Sequence, residues 1–166
     1  AKTKSFDNNC AGCHYTGYAL TGNSTSGFIS QAVSDKNGTI DLDGDGDLEE
    51  INTGCETCHG PGSEHVAAGG GGKSIVHPGL LTPERGAMIC GRCHSRPIGA
   101  LGTEVPDDKD GLMMLPGHSR SEFLTNYTNG VLLDADPTKD IYTDADEHSK
   151  SHHQQYTDFI RSPLYK

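Results

Sequence analysis

Cys55-Glu56-Thr57-Cys58-His59-Gly60-Pro61-Gly62-Ser63-Glu64-His65 is the stretch from which the rest of the chain can be read. It holds a Cys-x-x-Cys-His pattern, a Gly-Pro-Gly reversal and then a further histidine. The same five-residue pattern recurs as Cys10-Ala11-Gly12-Cys13-His14 and as Cys90-Gly91-Arg92-Cys93-His94, and the three copies use all six cysteines of the 166-residue chain.

Cys-x-x-Cys-His is the attachment pattern of c-type haem: two thiols add to the two vinyl groups of the porphyrin, and the adjacent histidine lies under the ring as proximal iron ligand. Zinc ribbons also pair cysteines this way, but two pairs make one four-cysteine site and would strand the third. A disulfide framework leaves the three histidines unexplained, and a thioredoxin-like dithiol needs a βαβ setting that is not visible. The reading is therefore three covalent haems c, held by Cys10, Cys13, Cys55, Cys58, Cys90 and Cys93, with His14, His59 and His94 as proximal ligands. Such attachment takes place on the outer side of the energy-transducing membrane, so an exported protein is expected, extracellular or at the cell surface, with the periplasm as alternative. The opening Ala1-Lys2-Thr3-Lys4, without Met or an apolar h-region, fits a mature exported product.

Six histidines lie outside the motifs: His65, His77, His118, His148, His152 and His153. Three distal ligands would close all three irons, so supply exceeds demand. Iron ligated by two imidazoles has no open position for a substrate, which suits electron transfer rather than bond-making. His65 is the favoured distal candidate, because the Gly60-Pro61-Gly62 turn reverses the chain beside the porphyrin. Met88, Met113 and Met114 are rival ligands, and the surplus histidines are expected to be solvated.

The composition agrees with a cofactor-filled interior. With 13 basic and 23 acidic residues the formal charge is −10, which excludes a nucleic-acid binder driven by counterion release. No apolar run approaches the roughly 18 residues of a membrane span. There are 22 glycines, four phenylalanines and no tryptophan, too little for an ordinary side-chain core. The expected fold is mostly irregular coil with a few short helices and little β-structure, wrapped as a single unit, residues 1–166, around stacked covalent haems.

Local patterns fill in that outline. Thr16 to Ser30 reads as turns or a small hairpin, with no helix signal. Thr82-Pro83-Glu84 starts a helix that runs to the third motif. Ser119-Arg120-Ser121-Glu122 is a capping box that opens a helix through Tyr127, and Ser149 to Arg161 is a helix ended by Pro163. On that last helix His152 and His153 project about 100° apart, so they would hardly serve the same iron. The acidic segment 35–52, inserted between the first and second motifs, leaves two readings open. Asp41, Asp43, Asp45 and Asp47 begin like a calcium loop, but Asn52 stands where the bidentate glutamate belongs, and a solvated acidic turn accounts for them equally well.

The three Cys-x-x-Cys-His motifs, the Cys55-to-His65 string and the His152-His153-Gln154-Gln155-Tyr156 segment with Phe159 and Ser162 resemble multihaem c-type cytochromes of respiratory bacteria and archaea. They look most like the small extracellular cytochromes that polymerise into electron-conducting filaments, or nanowires, in metal-reducing organisms. The resemblance implies partners: further copies of the same chain, with a distal histidine supplied from the neighbouring subunit, and redox proteins or extracellular electron acceptors. Two departures stand out. The filament proteins carry four or more haems against three here, and Ser162-Pro163-Leu164-Tyr165 lacks the ligand histidine that follows in many relatives. The expected function is electron transfer, not enzymatic catalysis. A monomeric periplasmic shuttle, a subunit of a larger redox complex and, last, a multihaem reductase are the alternatives.

Overall fold

The computed structural model describes residues 6–23, 27–32, 52–71, 75–95, 97–129 and 154–165. In chain order the elements are α1 (Phe6–Asn9), α2 (Ala11–His14), β1 (Tyr18–Asn23), β2 (Gly27–Ala32), α3 (Cys55–His59), α4 (Ser63–Ala67), α5 (Pro83–His94), α6 (Arg120–Asn126) and α7 (Gln155–Arg161), with a single 3-10 turn at Pro78–Leu80. Few short helices and little strand, as expected, carry the described chain. The four-residue pieces α1 and α2 lie around the first motif, in keeping with short helices at the motifs.

The Thr16–Ser30 region resolves as the hairpin rather than as turns alone. β1 and β2 pair antiparallel, with Tyr18 opposite Ala32 and Asn23 opposite Gly27. The other edge of β1 is met by the 107–113 loop: Leu20 N–H donates to the Gly111 carbonyl at 2.8 Å, and Ala19 bridges Leu112. Gly111 has a φ of 81°, and a Cβ there would collide with the Leu20 carbonyl, so glycine is what allows the loop to lie against the strand.

Capping chemistry places the helices. The Thr82 hydroxyl accepts from Arg85 N–H at 3.4 Å, Pro83 occupies the first helical position, and α5 runs twelve residues into the third motif. Ser119 and Glu122 form the complete capping box of α6. Arg85 ties the two starts together, donating to the Gly117 carbonyl at 2.6 Å and pairing with Glu122 at 3.4 Å. The last helix starts at Gln155 with Gln154 in the N-cap position, later than the expected Ser149, and residues 149–153 lie outside the described residues.

Two small clusters hold these elements. Ala11, Tyr15, Tyr18, Leu20 and Val105 pack the first motif to the hairpin, with Met113 against them. Met88, Met114, Phe123 and Tyr156 pack α5 to α6 and α7. Met88 and Met114, both named as rival ligands, are buried in this second cluster. A buried carboxylate, Asp107, staples the 99–107 turn, accepting from Leu101 N–H at 3.1 Å and from the Thr103 hydroxyl at 2.8 Å. Burial pushes its carboxyl above the ordinary range.

Candidate functional site: three converging Cys-x-x-Cys-His motifs

Each motif is helical. In one helical turn the residues at i and i+3 share a face and the residue at i+4 follows beneath them, so both sulfurs and the imidazole of a motif can address one porphyrin. Cys10 caps α2, which ends at His14; α3 is the second motif itself; and the third is the last turn of α5. α3 stops at once because Gly60 takes a φ of 78°, turning the chain towards α4 and His65.

The three motifs are brought together. The Thr16 hydroxyl, two residues beyond His14, donates to the Asn52 carbonyl at 2.6 Å, accepts from Gly54 N–H at 2.8 Å and meets the Thr57 hydroxyl at 3.1 Å. That ties the first motif to the second. Arg92, inside the third motif, donates to the carbonyl of Thr57, inside the second. The Cys13 thiol lies 3.9 Å from the Cys93 carbonyl, which joins first to third. A hydrogen bond with the Cys13 thiol holds the Cys93 thiol down at about 7, with Arg92 and His94 pulling the same way against desolvation. Cys13, the donor of that bond and itself buried, is pushed up.

The histidines are prepared as ligands to different degrees. His59 Nδ1 lies 2.8 Å from the Val76 carbonyl. A carbonyl only accepts, so Nδ1 carries the proton and Nε2 presents a lone pair, the state needed to bind a metal. Val76 N–H donates back to the His59 carbonyl at 2.9 Å, which clamps the ring from both sides. His94 Nδ1 meets the Gln155 side-chain oxygen at 2.8 Å, which imposes the same tautomer from α7. His14 ends α2 and is exposed. Among the distal candidates, His118 Nδ1 meets Glu122 at 3.3 Å, His77 is exposed ahead of the 3-10 turn, and His65 has a buried Nδ1 without a hydrogen-bond partner among the described residues. His148, His152, His153 and the acidic Asp41, Asp43, Asp45 and Asp47 lie outside the described residues.

A cavity of about 1070 Å³ opens beside the second motif, just above the roughly 300–1,000 Å³ of ordinary ligand sites. Cys55, His59, His65, Arg92 and Met113 all line it, so His65 shares a wall with the proximal His59. These features fit haem: free thiols at helical spacing, the His59 imidazole with its Nδ1 held by a carbonyl, an orphaned buried His65 nitrogen and a large cavity. Among the described residues no group of three or more His, Cys, Asp or Glu side chains gathers as a set for a bare metal ion. Sequence reasoning missed Thr16, Arg92 and Gln155, whose partners are remote in the chain. Only the position of Arg92 between two motif cysteines could have marked it.

The class of protein that this arrangement fits is a multihaem cytochrome of the c type. The chain is similar to the crystal structure of the Outer Cell Wall Cytochrome OcwA, with a TM-score of 0.57 and 26% identity, covering 96% of this chain. It spans 28% of the length of that cytochrome. No protein-family model and no curated protein matches the chain. No helix among the described residues is long and apolar enough to cross a membrane.

Proposed function

We propose that the chain carries electrons through three covalently attached haems, each closed on both faces by imidazole, as a subunit of an extracellular conducting filament. The observation that carries this reading is the meeting of all three Cys-x-x-Cys-His motifs around Thr57 and Arg92, with His59 and His94 already set as ligands. Bound haem supplies the one-electron ferric/ferrous couple. The residues of the chain anchor it, fix its proximal imidazoles and keep its neighbours close. The cytochrome likeness supports a carrier rather than a classical enzyme, and the outer cell wall placement of the similar protein supports export. The filament itself rests on the family resemblance of the sequence and on the acidic, Gly-rich composition.

A second reading is a unit of a larger redox assembly, favoured by the small share of OcwA that the chain spans. Negative-stain images separate the two: a heterologous contact that does not close gives fibres, and discrete particles would end the filament reading. The haem reading is tested by mass and by spectrum. Intact protein should carry three added macrocycles and a wholly low-spin ferric spectrum. His65→Ala should convert one centre to high spin; an unchanged spectrum would remove His65 from the ligands.

A further inference from the structure

Arg92 is 5% exposed and lies inside the third motif, with its guanidinium bonded to the second. One terminal nitrogen donates to the Met114 carbonyl at 2.5 Å, and the other donates to the Thr57 carbonyl between Cys55 and Cys58. Its Nε is buried without an acceptor, and no carboxylate pairs with it among the described residues. An arginine is never neutral in a protein, so a full positive charge is enclosed here with only carbonyl dipoles to compensate it. An isolated buried cation costs several kcal/mol, which the fold tolerates only where something else favours it.

The covalent chemistry of the site says which groups can answer that charge. In a c-type haem the thioethers occupy one edge of the porphyrin and the two propionates the opposite edge. Arg92 touches the second motif at Thr57 and sits beside Cys93 in the third, whose carbonyl is 3.9 Å from the Cys13 sulfur of the first. A haem held by Cys55 and Cys58 and one held by Cys90 and Cys93 would each meet Arg92 from the thioether edge, the edge that carries no propionate.

We propose that Arg92 is an electrostatic bias built into the junction of the three haems, an uncompensated buried cation that raises their reduction potentials and so favours an electron resting at this hub. Reduction of ferric haem adds one negative charge to the centre, and a nearby fixed cation stabilises the product. Burial keeps that field from being screened by salt. The inference rests on the haem reading above.

The test is spectroelectrochemical titration of the holoprotein and two variants, with intact mass recorded for each. Arg92→Gln removes the charge, and at a fixed potential at least one haem should show a tenfold or greater fall in its reduced-to-oxidised ratio, a shift of about 59 mV for one electron. Arg92→Lys keeps the charge but loses the planar fork, and its midpoints should stay with those of the parent. Raising the salt from low to molar should leave the parent midpoints in place. Arg92→Gln titrating like the parent with three haems attached overturns the proposal. So do Arg92→Lys midpoints displaced downwards, whether or not the glutamine variant matures, since hydrogen bonding and not charge would then set the potentials. A parent chain without macrocycles is a different failure, and it would sink the haem reading itself.

Discussion

The second and third motifs carry the same five-residue pattern on opposite kinds of support. α3 buries no side chain: Cys55 is exposed, and the helix ends at Gly60 after a single turn. α5 reaches the third motif after two turns of ordinary helix and buries Met88 and Gly91 against α6 and α7. One attachment site stands on protein, and the other waits for its cofactor to supply the apolar surface. On the haem reading, a haem in the second position would be a structural element as much as a redox centre.

Removing the attachment points is the sharpest way to break this comparison. Cys55→Ser with Cys58→Ser should abolish amide-exchange protection across residues 52–71. Cys90→Ser with Cys93→Ser should lose one macrocycle by mass yet leave the first two turns of α5 protected. Equal loss in both regions would mean that the two sites lean on haem alike. Next in size, Met88→Ala opens a cavity where α5, α6 and α7 meet, and should cost about 2–5 kcal/mol in denaturant unfolding followed at the third site. The haem at the second motif should keep its low-spin spectrum in that variant.

The smallest expected effect sharpens the contrast by pH. Hydrogen bonds from Ser119 N–H and hydroxyl, with help from His118, hold the Glu122 carboxyl at about 2, below its ordinary 4.5. A depressed carboxylate pKa adds stability above the ordinary value, and that stability fades as pH falls towards the folded value. The first turn of α6 should therefore fray between about pH 4.5 and pH 2, as read by amide exchange, and Glu122→Gln should remove that acid transition. Exchange in α3, which has no such cap, should not follow the same profile.

What was legible in the sequence was local. The Thr82 cap, the Ser119–Glu122 box, the hairpin after the first motif and the helical third motif each depend on residues within a few positions of one another, and each stands where expected. The Cys-x-x-Cys-His motifs were legible as a pattern because each lies within five consecutive residues. The hub was not, since Thr16 reaches Asn52 and Thr57, Arg92 reaches Thr57, and Cys13 reaches Cys93 eighty residues away. Nothing periodic marks such contacts. The methionines show the same limit: a thioether suits iron and core equally well, and only its neighbours decide.

The bonds of Thr16 and Arg92 to the second motif also bear on how the chain matures. On the haem reading, each attachment motif leans on the other two, so a chain lacking one haem would have this junction held from fewer sides. Susceptibility to limited proteolysis would then fall with each haem added, most steeply across residues 52–71, where protein support is least.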